Sequence, residues 1–190
     1  MTRIIAGSAG GRKLRVPPAG TRPTSDRVRE ALFNTLASRI DFAGTRVLDL
    51  YAGSGAVGLE ALSRGAVHAL LVESDGRAAA IIKSNIADIG VEGARVVTAT
   101  VASVLRHPPE QPYDLVFADP PYDVPADVVE NDLSALDANG WLADEGIAVI
   151  ERSIRSPETR WPEGFLALPA RKYGETRIDL AYREGVEPVG

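Results

Sequence analysis

The segment Val47-Leu48-Asp49-Leu50-Tyr51-Ala52-Gly53-Ser54-Gly55-Ala56-Val57-Gly58 reads as a short apolar strand, a tight turn and the start of a helix. Its second half matches G-x-G-x-x-G, a spacing in which glycines permit a sharp turn and let a ligand lie against bare backbone. Outward from this loop, apolar strands alternate with helical stretches. The strand candidates are Arg46–Tyr51, Ala69–Glu73, Arg95–Ala99, Leu115–Ala118 and Ile147–Glu151, with helical patterns near 56–63, 75–89, 101–106 and 125–137. Short apolar strands separated by helices imply an α/β fold with a parallel sheet covered on both faces. The tail breaks this rhythm. Gly164–Lys172 and Arg177–Tyr182 read as two strands joined by Tyr173-Gly174-Glu175-Thr176, a terminal antiparallel hairpin.

Upstream of the loop the chain changes character. Residues 1–20 are rich in glycine and basic residues and suggest a short hairpin, Arg3–Ala6 with Arg12–Val16, around Gly7-Ser8-Ala9-Gly10-Gly11. Thr24, Ser25 and Asp26 mark a helix start, and Val28, Ala31, Leu32, Thr35 and Leu36 follow at helical spacing. Gly44 closes this module, so the expected division is an N-terminal extension, 1–43, and a main domain, 44–190. Charge is unevenly shared between head and body. Residues 1–40 carry eight Lys/Arg against two acids, a net +6, whereas the whole 190-residue chain is at −5. A basic head on an acidic body suggests a local polyanion contact, with Arg12, Lys13, Arg22, Arg27 and Arg29 as candidate phosphate partners.

Composition excludes several classes. With no cysteine there is no disulfide, zinc-thiolate site or cysteine nucleophile. The two histidines, His68 and His107, make a histidine-rich metal centre unexpected, and they read as surface or structural residues. No apolar run approaches the ~20 residues of a membrane span, and the first residues lack the apolar stretch of a secretory signal. The compartment that fits is the cytoplasm.

The G-x-G-x-x-G loop alone would also suit a dinucleotide. Asp49, four residues before Gly53 on the first strand, argues against it, because a carboxylate there would repel a pyrophosphate. It would attract a ligand carrying an ammonium and a sulfonium. S-adenosylmethionine is such a ligand, and Glu73, at the end of the next strand, can accept both hydroxyls of its ribose. The third strand ends in Thr98-Ala99-Thr100-Val101, with no acid or amide for the adenine amino group. The expected cofactor contacts are Asp49, Tyr51, Ala52, Gly53, Ser54, Gly55, Glu73, Ser74, Thr100 and Val101, and no metal is expected.

A fourth strand ends in Asp119-Pro120-Pro121-Tyr122. Two prolines stiffen the backbone and remove two N–H donors, leaving an acid, an exposed carbonyl and an aromatic ring. Open α/β sheets bind ligands at this edge. An exocyclic base amine is a poor nucleophile because its lone pair is delocalised into the ring. The Asp119 carboxylate and the Pro120 carbonyl can hold its hydrogens and localise that lone pair, while Tyr122 stacks on the base.

The core resembles the class I amino-N-methyltransferases that carry Asn/Asp-Pro-Pro-Tyr/Phe. Arg3-Ile4-Ile5-Ala6-Gly7, Gly11-Arg12-Lys13-Leu14, the run Arg22-Pro23-Thr24-Ser25-Asp26-Arg27-Val28-Arg29-Glu30-Ala31-Leu32-Phe33-Asn34, Gly140-Trp141-Leu142 and Lys172-Tyr173-Gly174-Glu175-Thr176 narrow the likeness. Together they resemble the bacterial 16S ribosomal RNA guanine-N2 methyltransferases of the D type. Tyr51 departs from the Phe or Cys expected there. The resemblance implies a Rossmann-like fold with a mostly parallel seven-stranded sheet. It implies methyl transfer from S-adenosylmethionine to one guanine N2 of the small-subunit RNA, by a monomer acting on assembled or assembling subunits. Two other readings of the same core are a DNA adenine-N6 or protein glutamine-N5 methyltransferase, and an inactive RNA-binding assembly factor. Glutamine enzymes favour Asn at the position of Asp119, and intact Asp49, Glu73 and Asp119 speak against inactivity.

Overall fold

The computed structural model describes residues 2–18 and 24–185. Two two-residue strands, β1 (Thr2–Arg3) and β2 (Lys13–Leu14), pair antiparallel and precede helix α1 (Asp26–Ala37). The alternating part follows: β3 (Arg46–Leu50), α2 (Ala56–Ser63), β4 (His68–Glu73), α3 (Gly76–Ile89), β5 (Ala94–Thr98), α4 (Val101–Leu105), β6 (Tyr113–Ala118), α5 (Ala126–Ala138) and β7 (Leu142–Ser153). Three strands end the chain: β8 (Phe165–Ala167), β9 (Arg171–Tyr173) and β10 (Thr176–Arg183). The large sheet runs β5-β4-β3-β6-β7-β10-β8, with β9 also on β10. The pairs among β3 to β7 are parallel, and β10 is antiparallel to β7, β8 and β9.

The sheet is buried on both faces because its strands are apolar at successive positions. Val47, Leu71, Phe117, Val149 and Leu180 face one core, shared with Leu32, Phe33 and Leu36 of α1, Leu59 of α2 and Ile82 of α3. Leu48, Leu70, Val116 and Ile150 face the other, shared with Leu105 of α4 and Leu133 of α5. Helices α1 to α3 therefore cover one face and α4 and α5 the other. The head is part of this packing, since Ile4, Ala9 and Leu14 belong to the first core.

The tail corrects one expectation. The continuous strand Gly164–Lys172 is two pieces, β8 and β9, both on the same side of β10. Leu168 still donates to the Leu180 carbonyl at 2.8 Å, but the next residue is Pro169, which has no N–H for the ladder. Counted by position across the sheet, the two pieces form the seventh strand. Among the described residues no helix is long and apolar enough to cross a membrane.

Candidate active site

Four acids stand at the carboxyl ends of parallel strands: Asp49 on β3, Glu73 on β4, Asp119 just after β6 and Glu151 on β7. All occupy odd positions, on the face where Val47, Leu71, Phe117 and Val149 point. They converge on one cavity of about 430 Å³, whose wall also includes Val16, Pro17, Thr24 and Arg29 from the head. A volume of this size suits a small-molecule ligand, and it lies where open α/β sheets bind theirs.

The glycine loop forms the cavity floor. Tyr51, Gly53 and Gly55 all have positive φ (58°, 58° and 79°), so the chain reverses within five residues. Tyr51 is the costly one, since a side chain disfavours this region; its hydroxyl donates to Asp132 Oδ2 on α5 at 2.6 Å. A Cβ at Gly53 would meet no atom within 4 Å, so the backbone there is open to a ligand. At Gly58 a Cβ would lie 3.0 Å from Leu71 Cδ2 and 3.3 Å from Asp49 Oδ2, so a side chain there would have to push both aside.

The two cofactor acids differ. Asp49 is 2 % exposed and accepts a hydrogen bond from the Gly58 N–H at 2.9 Å. Burial, helped by the nearby Glu73 charge, raises its pKa to about 8. Glu73 accepts the Gly53 N–H (2.8 Å) and the Asp75 N–H (2.9 Å), one on each oxygen. It thereby holds the glycine loop against β4 and keeps a second lone pair on each oxygen for ribose hydroxyls. Ser74 joins it on the cavity wall.

Asp119 extends the β6 ladder by donating its N–H to the Leu50 carbonyl at 3.4 Å. Since Ala118 sits opposite Ile150, the next residues, Asp119 and Glu151, stand side by side. The Thr24 hydroxyl lies 2.5 Å from Glu151 Oε2 and 3.3 Å from Asp119 Oδ2. Burial and the Glu151 charge push the Asp119 pKa well above the usual carboxylate range, and burial raises that of Glu151. Pro120 is buried, whereas Tyr122 is 61 % exposed, so the ring of the motif faces outward over the cavity mouth. Arg152 pins the following loop by donating to the Val124 carbonyl at 3.1 Å.

The sequence-derived cofactor set is mostly brought together. Asp49, Tyr51, Ala52, Gly53, Ser54, Glu73 and Ser74 line the cavity with Asp119, Pro120, Pro121 and Tyr122. Gly55 supports it from behind, where a Cβ would lie 3.0 Å from Ile82 Cγ2 and Leu71 Cδ2. Thr100 and Val101 do not line it: Thr100 caps α4 by accepting the Ser103 N–H, and Val101 is buried in the second core. Thr24, Arg29, Phe117 and Glu151 line it and were not expected there. For Glu151 the available signal was an acid ending the apolar run Ile147–Ile150.

The head cations need one correction. Arg12, Lys13 and Arg27 are exposed, although Arg12 also donates to the Ile89 carbonyl. Arg29 is fully buried and is not presented to an RNA phosphate. It bonds the Arg3 carbonyl and Asp26 Oδ1 (3.1 Å) and faces Glu60 Oε2 at 3.8 Å, while Glu60 in turn accepts the Ile5 and Ala6 N–H groups. Its Nε and Nη1 have no hydrogen-bond partner. The reason is position: Arg29, Leu32, Phe33 and Leu36 share the buried face of α1. Arg22 lies outside the described residues. Trp141 is core, donating its indole N–H to the His107 carbonyl at 2.8 Å.

Comparison with known proteins gives concordant results. The family described as Conserved hypothetical protein 95 matches residues 2–182. Over 183 residues the chain is 40 % identical to the ribosomal RNA small subunit methyltransferase D of Escherichia coli, covering 96 % of this chain and 90 % of that one. The Haemophilus influenzae protein of the same name is 38 % identical, covering 90 % and 89 %. Among solved structures, the E. coli protein yhhF superposes with a TM-score of 0.86 at 39 % identity, covering 96 % and 98 %. The magnesium protoporphyrin IX methyltransferase of Synechocystis, solved with bound S-adenosylmethionine, superposes at 0.66 with 15 % identity over 83 % and 79 %, a likeness of fold.

Proposed function

The chain belongs to the Conserved hypothetical protein 95 family, and on that premise we propose that it methylates the exocyclic N2 amine of a guanine in 16S ribosomal RNA. The coarser statement, an S-adenosylmethionine-dependent methyltransferase of ribosomal RNA, accords with the names of its relatives and with its class I fold. The observation that supports the finer one is Asp119-Pro120-Pro121-Tyr122 at the cavity mouth, with an outward aromatic ring over a half-buried acid.

The residues present fit the cofactor. Asp49 and Glu73 suit its ammonium and ribose, the open backbone at Gly53 leaves room for it, and Arg29, with an unpartnered Nη1, supplies a cation for its carboxylate. When bound, it would supply a sulfonium methyl group, the N2–CH₃ bond forming as the S–CH₃ bond breaks and S-adenosylhomocysteine leaving. The Asp119 carboxylate and the Pro120 carbonyl accept the two amine hydrogens and turn the nitrogen lone pair toward the methyl. As the methyl arrives the amine becomes acidic, so proton loss follows transfer, and Asp119 orients and polarises the amine without having to act as a strong base. Tyr122 holds the base by stacking, worth ~1–3 kcal/mol.

In this reading residues 1–43 are an RNA-contacting extension whose exposed Arg12, Lys13 and Arg27, together with Arg22, meet phosphates. The protein acts as a monomer on the assembled or assembling small subunit. The test is single-turnover methyl transfer. Asp119→Ala is expected to lower the rate by about 100-fold or more with cofactor affinity unchanged, and Asp119→Asn, which keeps an acceptor oxygen, to retain measurable activity. Tyr122→Ala should weaken base capture and Tyr122→Phe should be mild. A near-normal rate in Asp119→Ala would remove this loop from the chemistry.

A further inference from the structure

Glu151 is a buried acid that no step above uses. It is 7 % exposed, lines the same cavity as Asp119, and neither of the two makes an ion pair among the described residues. A buried carboxylate beside a half-buried one, with no ion pair to either among the described residues, costs stability, and an apolar residue at 151 would pack more cheaply. The Thr24 hydroxyl has one hydrogen to donate, and the shorter contact, 2.5 Å against 3.3 Å, gives it to Glu151 Oε2 as acceptor. The remaining lone pairs make this corner of the cavity a pair of acceptors, complementary to a ligand edge that presents donors on two adjacent atoms.

Among bases that carry an exocyclic amine, guanine has such an edge: N1–H lies beside the N2 amine. Adenine and cytosine instead place a ring-nitrogen lone pair beside their amine, which would face a carboxylate lone pair and be repelled. We propose that Glu151 is the specificity-determining residue of the site. It accepts the guanine N1–H while Asp119 and the Pro120 carbonyl hold the N2 amine, and Thr24 orients the Glu151 carboxylate from the head. This rests on the guanine-N2 reading and deepens it.

The test uses a ribosomal RNA substrate whose target guanine is replaced by 2-aminopurine, which keeps the N2 amine but carries a lone pair at N1. The unsubstituted protein is expected to methylate the 2-aminopurine RNA about 30-fold or more slowly than the guanine RNA in single turnover. Glu151→Gln, whose amide can donate to N1, is expected to bring the two rates within about threefold of each other. It should also increase the fluorescence change of 2-aminopurine on binding, a readout of base capture that does not depend on methyl transfer. Cofactor affinity and melting temperature serve as checks that the variant is folded. Equal rates on the two RNAs for the unsubstituted protein would overturn the inference. So would unchanged discrimination in Glu151→Gln. Failure to methylate the guanine RNA at all would instead overturn the guanine-N2 reading, and this inference with it.

Discussion

Thr24 and Arg29 lie at the two ends of one turn and a half of chain at the start of α1, yet they enter different buried clusters. Arg29 joins Asp26 and Glu60, groups of opposite sign, and the backbone of β1 and its following residues. Thr24 joins Asp119 and Glu151, two groups of the same sign, held within reach of one hydroxyl. The first cluster is compensated and ties the head to helix α2. The second makes no ion pair among the described residues, although the Arg152 charge acts on Asp119 from nearby, and its acids face the cavity. Buried polar groups therefore serve both cohesion and chemistry here, and Arg29, in the cavity wall with an unpartnered Nη1, takes part in both.

The largest expected contrast is in stability. Glu60→Ala leaves Arg29 buried beside Asp26 alone and frees the Ile5 and Ala6 N–H groups. Loss of one partner of a buried pair costs roughly 3–5 kcal/mol, measurable as a fall in the urea midpoint. Glu151→Gln should leave the midpoint at neutral pH unchanged or raised, because it removes a like charge next to Asp119. If both variants lose stability equally, the distinction between the clusters fails.

A smaller contrast lies in pH. The folded-state pKa values of Asp49, Asp119 and Glu151 are raised, that of Asp49 to about 8. For acids raised on folding, stability is fully present below the unfolded carboxylate values and is lost as pH rises through the folded ones. The urea midpoint should thus fall between about pH 5 and pH 8, with each titrating group contributing at most about 1.4 kcal/mol per pH unit. Glu151→Gln should flatten this decline. A midpoint that rises over the same interval would sink the assignment of raised values.

The smallest effect is on salt dependence. Reversing the exposed Arg12, Lys13 and Arg27 should weaken RNA binding and flatten the slope of log K against log salt by about 1 for each phosphate no longer neutralised. Arg29→Gln, in the compensated cluster, should change stability and cofactor affinity but leave that slope alone. A flatter slope in Arg29→Gln would return this residue to the RNA-facing surface.

What was legible in the sequence was local. The glycine loop and Asp119-Pro120-Pro121-Tyr122 declare themselves because backbone requirements fix their residue types: Gly58 fits where a Cβ would strike Leu71, and two prolines cannot sit inside a ladder. The alternation of strands and helices was equally local. What escaped depends on contacts distant in the chain. The helical stripe read as Val28, Ala31, Leu32, Thr35 and Leu36 is rotated in the fold to Arg29, Leu32, Phe33 and Leu36, which turns a surface cation into an interior one. Glu151 becomes a neighbour of Asp119 only through the β6–β7 register, and Thr24 reaches both across 95 and 127 residues of chain. Ser25, not Thr24, is the helix cap, so the threonine was left free for a task the segment's own spacing does not announce.

Pro169 has an effect that reaches beyond the single molecule. It interrupts the outermost strand of the large sheet, leaving β8 and β9 only three residues each, with the exposed apolar Leu166 on the first piece. An unbroken outer strand would offer another chain a row of free N–H and C=O groups, a template for intermolecular strand addition. Divided as it is, neither piece is long enough to recruit one, and the proline adds a position with nothing to donate. The break that spoils the regularity of the tail thus removes a continuous template for strand addition along this edge.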